Sequence, residues 1–173
     1  MVDTVDQETR SRMMSSVRAK NTKLELGVRR RLFAIGFRYR LHAKDLPGTP
    51  DMVFPRYRAA VFVHGCFWHY HGCHLSSIPG TRRSWWKKKL EGNARRDSET
   101  VSELRDLGWR VLTIWECGFR KPKTNRAEAL DDIAERASSF LNSGRKLLEI
   151  PRLSRGGKGN KVGGSRTHGK KTR

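Results

Sequence analysis

Apart from Gly65 and Gly72, every residue from His64 to His74 is a cysteine, a histidine or an aromatic. So polar a segment cannot order itself by burial, and its density of nitrogen and sulfur donors points to a metal. Structural zinc takes four such ligands in a tetrahedron. Cys66, His71 and Cys73 can supply three from one loop, with His74 or His69 as alternatives to His71. The only other cysteine is Cys117. Three cysteines, and no apolar leader within Met1 to Lys20, argue against a disulfide framework and for a reducing, cytoplasmic setting. Cys117 directly follows an apolar run that reads as a strand, so it can be held rigidly and complete a Cys₃His site. Folding of the loop would then be coupled to the metal. The plainer alternative is three reduced thiols among scattered surface histidines.

The rest of the chain reads as alternating helices and strands. Residues 6–20 form a weakly apolar helix with Met13, Met14 and Val17 on one side. A second helix is capped by Asn21 or Thr22, carries Glu25 in its first turn, shows the helical period at Leu24, Val28, Leu32 and Ile35, and stops at Gly36. Phe37 to Leu41 alternates apolar and basic residues. Leu46-Pro-Gly-Thr-Pro50 is a turn, 51–54 a short strand, and 59–64 a nearly continuous apolar run, as a strand covered on both faces requires. A long helix over 84–107, with a bend at Gly92, a buried strand over 109–115 and a helix over 125–141 follow. The order α, α, β, β, β, α, β, α in 173 residues predicts one α/β domain: a mixed sheet flanked by helices. We divide it into an N-terminal arm (1–20), a core domain (21–142) and a basic flexible tail (143–173). No apolar run approaches the ~20 residues of a membrane helix.

Charge narrows the partners. Lys and Arg total 37 against 17 Asp and Glu, a formal net charge of +20. Residues 151–173 hold eight Lys or Arg, six Gly and no acid, which leaves +12 on the remainder, so the excess is more than a tail effect. A polyanion offsets such self-repulsion, and nucleic acid rewards it through counterion release. Arg10, Arg12, Arg18 and Lys20 can clamp one side of a duplex. Phe67 and Trp68, together with Trp85 and Trp86 ahead of Lys87, Lys88 and Lys89, join aromatic rings to basic groups as a groove-binding surface does.

Hydrolysis of a phosphodiester needs a divalent ion, and magnesium takes oxygen ligands from one or two carboxylates. Asp51 opens a strand after the Gly-Thr-Pro turn, an arrangement that resembles the nuclease fold of type II restriction enzymes. Their acid-x-Lys triplet is here Phe62-Val63-His64, without acid or lysine. His64 and His69 are the available replacements as base, Glu25 or Asp97 can orient a histidine, and the Val63 carbonyl can join Asp51 as a magnesium ligand.

Several separated motifs carry one resemblance. Leu46-Pro-Gly-Thr-Pro-Asp51, His64-Gly-Cys-Phe-Trp-His69, Gly108-Trp-Arg-Val-Leu112, Trp115-Glu-Cys117 and Thr9-Arg-Ser11 are similar, in register from about residue 8 to residue 140, to the very short patch repair endonucleases. The resemblance implies a restriction-endonuclease-like fold with a structural zinc on Cys66, His71, Cys73 and Cys117. It implies Asp51 as magnesium ligand, His69 as general base supported by Glu25, and His64 assisting at the phosphate, held by Asp97. It also implies Phe67, Trp68 and Trp86 as intercalating rings, with Trp85 as a core residue instead; Lys89 and Arg12 would add DNA contacts. The expected activity is nicking of double-stranded DNA beside the T of a T:G mismatch, by a monomer with other repair proteins as further partners. The rivals are a restriction-type nuclease without mismatch preference and a zinc-stabilised nucleic-acid-binding protein without catalysis.

Overall fold

The computed structural model describes residues 21–120 and 125–151. The helix expected over 6–20, Arg12 with it, lies outside them, as does the chain beyond 151. The first described helix, α1 (Lys23–Ala34), begins as its sequence requires. Thr22 Oγ1 accepts the Glu25 N–H and Glu25 Oε2 accepts the Thr22 N–H, a reciprocal capping box. The helix ends where Gly36 takes φ +95° and Phe37 N–H returns to the Leu32 carbonyl. Leu24, Val28 and Leu32 are buried, whereas Ile35 lies past the last helical turn and is exposed.

Strands β1 (Arg40–Leu41), β2 (Met52–Phe54), β3 (Ala59–His64), β4 (Arg110–Trp115) and β5 (Leu147–Ile150) form one sheet in that spatial order. The first two pairings are antiparallel and the last two parallel. Helix α2 (Arg83–Asp106) crosses from β3 to β4 without a break at Gly92, and α3 (Glu116–Phe119) and α4 (Arg126–Asn142) lead from β4 to β5. The fold is thus the mixed sheet with helices on both faces that the element order predicts. Alternation in β3 shows how the faces are filled. Ala59 and Val61 belong to the larger core, together with Val28 and Leu32 of α1 and Ile133 and Phe140 of α4. Ala60 and Phe62, on the opposite face, share a smaller core with Leu104 of α2.

Two expectations are corrected. The alternating run 37–41 pairs only over Arg40–Leu41, because Phe37 turns into the core and Tyr39 donates its hydroxyl to the Arg29 carbonyl. The stretch from residue 143, assigned to the tail, contributes to the fold at its start, since β5 adds to β4 through Ile150. Arg110 closes this side of the domain, donating to the carbonyls of Tyr57, Phe140, Leu141 and Ser143 and so satisfying the end of α4. No helix among the described residues is long and apolar enough to cross a membrane.

Candidate functional site

The parallel pairing of β3 with β4 sets the site. His64 is in register with Trp115, so Cys66 and Cys117, each two residues further on, arrive side by side. The Cys117 N–H donates to Cys66 Sγ at 3.3 Å. His71 turns its Nδ1 to both sulfurs, 3.6 Å from Cys66 Sγ and 3.5 Å from Cys117 Sγ. Bonds of ~2.3 Å to sulfur and ~2.0 Å to nitrogen around a tetrahedral zinc place such ligands about 3.6 Å apart. Cys73 completes the group, and all four donor atoms lie within 4.8 Å of one another. His74 is exposed and His69 belongs elsewhere, so His71 is the histidine the cluster gathers. Burial pushes the Cys66 thiol up and the Cys117 thiol to about 11. A coordinating cation reverses this, because it holds thiolates outright. The donor set and its spacing fit zinc.

The ring of Trp115 separates this cluster from a second one. It stacks on His71 at 4.0 Å and 12° and meets His64 edge-on at 5.3 Å. Its indole N–H donates to Glu149 Oε2 of β5 at 3.3 Å, so the strand that composition hid braces the site. Beyond Trp115, His64 and His69 stack at 3.6 Å and 6°. His69 donates Nδ1–H to Asp97 Oδ2 at 2.7 Å. This overturns one expected pairing: Asp97, from the middle of α2, holds His69 and not His64. The bond fixes the ring and leaves Nε2 as its free nitrogen. His64 is 8% exposed, and burial lowers its pKa to about 3. Its Nδ1 is enclosed with no hydrogen-bond partner among the described residues.

Asp51 approaches from the other side. The Leu46–Thr49 turn has Pro47 ahead of Gly48 at φ +70°, the order a type II turn needs, and an Ala-sized group at Gly48 would clash with Thr100 Cγ2. Because β2 runs antiparallel to β3, this turn delivers Asp51 beside the end of β3, where its Oδ2 accepts the Val63 N–H at 2.7 Å. Burial raises the Asp51 pKa to about 6; the Val63 N–H opposes that shift, Glu25 adds to it, and Arg29 and His69 oppose it. A half-buried carboxylate with one oxygen uncommitted to Val63 suits a cation. Glu25 does not support His69 as expected. It is ion-paired with Arg29 and lies 3.8 Å from His42 Nε2, on the Asp51 side. Sequence reasoning misses Arg29 and His42, although an acid four residues ahead of an arginine on one helix signals the pair.

The aromatic rings form a separate layer over the loop. Phe67, Trp68 and Trp86 pack mutually at 5.1 to 6.2 Å between centroids. Trp86 is 8% exposed and Trp85 53% exposed, which reverses the expected split between the two: Trp85 is on the surface, with Lys89 Nζ 5.2 Å from its ring. Phe67 and Trp68 are half-buried, and Asn93 donates to the Trp68 carbonyl at 2.8 Å, fixing the loop to α2.

Comparison with known proteins agrees on one family. A family model described as DNA mismatch endonuclease Vsr matches residues 2–75. The chain is 50% identical over 117 residues to the type II nicking enzyme V.XorIIP of Xanthomonas oryzae, covering 68% of this chain and 86% of that one. It is 40% identical over 135 residues to the DNA mismatch endonuclease Vsr of Escherichia coli, covering 78% and 86%. It is 40% identical over 120 residues to the type II nicking enzyme V.NmeAIP of Neisseria meningitidis, covering 69% and 86%.

Proposed function

Because this chain belongs to the Vsr family of DNA endonucleases, we propose that it nicks one strand of duplex DNA beside the T of a T:G mismatch, by magnesium-dependent hydrolysis. The observation that carries this reading is the meeting of three devices at one end of the sheet: the Asp51 carboxylate, the Asp97–His69 pair and the neutral His64 stacked on it.

Asp51 and the Val63 carbonyl would hold the magnesium, which supplies charge neutralisation at the scissile phosphate. His69 Nε2 takes the proton of the attacking water, and Asp97 stabilises the imidazolium that results. His64, kept neutral by burial, carries its proton on Nε2 and offers it to a phosphate oxygen. Cys66, His71, Cys73 and Cys117 would hold a structural zinc, which would stiffen the loop that carries both His69 and the aromatic layer. Phe67 and Trp68 wedge between bases, backed by Trp86, and a mismatched step is cheaper to open than a paired one. Lys89, Trp85 and the N-terminal arm with Arg12 add contacts to the backbone.

A duplex with one T:G pair and its fully paired twin, incubated with magnesium, test the reading. Nicking confined to the T:G duplex is the expected outcome. Equal nicking of both would leave a nicking enzyme without mismatch preference. No cleavage of either removes the enzymatic reading altogether.

Asp97→Asn is expected to lower kcat by about 10²-fold while changing KM little, since an amide orients His69 but does not stabilise its cation. An unchanged kcat would detach Asp97 from the proton transfer.

A further inference from the structure

The group of Cys66, His71, Cys73 and Cys117 leaves one polar atom unanswered. His71 turns Nδ1 to two of the sulfurs, so with a metal held there its proton sits on Nε2. That nitrogen belongs to a residue 7% exposed and has no hydrogen-bond partner among the described residues. A buried N–H without an acceptor is costly. A histidine that ligates a metal ordinarily donates its second nitrogen to a carboxylate, a carbonyl or a water, which fixes the ring.

The carboxylate at hand is Glu149, on the edge strand β5. It stands in register with Thr113 of β4, two residues before Trp115, so strand alternation puts the Glu149 and Trp115 side chains on one face of the sheet. Its neighbours Leu148 and Ile150 turn to the larger core instead. Glu149 Oε2 accepts the Trp115 indole N–H at 3.3 Å, while Oε1 has no partner among the described residues. The indole lies flat on the His71 ring at 4.0 Å. Burial disfavours a charged His71 ring, and the Glu149 charge opposes that.

We propose that Glu149 is a positioning residue, which holds the Trp115 indole with one carboxylate oxygen and, with zinc bound, takes the His71 Nε2–H on the other, directly or through one water. The inference rests on the zinc reading given above. Trp115 also meets His64 edge-on at 5.3 Å and His69 at 6.5 Å. One carboxylate therefore steadies a zinc ligand and, through the indole, the histidine pair that faces the phosphate.

The test uses the full zinc-loaded chain. Glu149→Leu is expected to release zinc to a chelator about tenfold faster than the parent, and to lower kcat about tenfold with little change in KM on a duplex the parent nicks. Glu149→Gln keeps an acceptor of the same shape and is expected to stay within about threefold of the parent in both measurements. Nitrogen-15 NMR of the parent depends on no variant's folding: the His71 Nε2–H should be hydrogen-bonded, shifted downfield and protected from exchange. Parental zinc release in folded Glu149→Leu, Glu149→Gln as impaired as Glu149→Leu, or a freely exchanging His71 Nε2–H overturns the proposal. Metal analysis separates the two ideas. A parent that carries no zinc ends both, whereas a zinc-replete parent with any of those results ends only the role of Glu149.

Discussion

Asp51→Asn is expected to lower nicking by about 10³-fold or more and, in the same protein, to raise thermal stability. On the proposed role of Asp51 as magnesium ligand, its loss would remove charge stabilisation worth several kcal/mol at the phosphate. The stability gain follows from burial. Asp51 has a folded pKa of about 6 against an ordinary 3.8, so its ionised form is tolerated worse in the folded chain than in the unfolded one. The folded state binds the proton more tightly, and the resulting destabilisation is fully present above pH 6. It shrinks as pH falls from 6 and is gone below 3.8. Its size is roughly 3 kcal/mol at most, at 1.36 kcal/mol per unit of pKa. Asparagine avoids the charge, so a melt at pH 7.5 without added magnesium should rise by several degrees. The difference from the parent should vanish near pH 3.5. If Asp51 binds the ion as proposed, it should also set the pH response of the parent: below pH 6, half-maximal nicking should require about tenfold more magnesium per pH unit, since only the ionised form would bind. A variant that nicks at the parental rate would remove Asp51 from the reaction.

Cys73→Ser is expected to take the zinc content from one per chain to none and to lower the melting temperature by roughly 10 °C or more. The choice of cysteine matters. Cys66 is fully buried, so its loss would disturb packing as well as any metal, whereas Cys73 is half-buried. Serine there nearly preserves volume, leaving ligand chemistry as the main change. A structural zinc in small domains contributes about 10–16 kcal/mol of apparent binding free energy, comparable to the whole stability of a domain at ~5–15 kcal/mol. Nicking should disappear with the metal although Asp51 is untouched, because His69 shares the loop. Metal analysis and calorimetry on the purified variant check both parts; a zinc-replete variant with the parental melting curve would refute the assignment.

The strands that carry the site are the easiest elements to read. Ala59–His64 and Arg110–Trp115 are apolar along nearly their whole length because both faces are covered, and a run that short and that apolar suits a central strand better than a helix. The cap at Thr22 and the stop at Gly36 are equally legible, being local. What the sequence does not settle are relations between distant side chains. Asp97 lies in the middle of a 24-residue helix, and helical spacing alone does not say whether it meets His64 or His69. Trp85 and Trp86 are adjacent and chemically alike; only the rotation of α2 against Phe67 decides which is enclosed. Leu147–Ile150 is short and borders a strongly basic stretch, so composition masks a strand whose Glu149 reaches Trp115. Arg29 is hidden among Arg29, Arg30 and Arg31, where burial of one and exposure of the next follow from helical phase.

The shared register of β3 and β4 has a consequence for quality control during folding. Sliding one strand against the other by a single residue would part Cys66 from Cys117 and, in the same motion, turn Trp115 away from His64 and His71. If the four-residue cluster holds zinc as proposed, a molecule that captured the metal would also have aligned the histidine pair beyond Trp115, so mis-threaded copies would be sorted out before they could cut DNA.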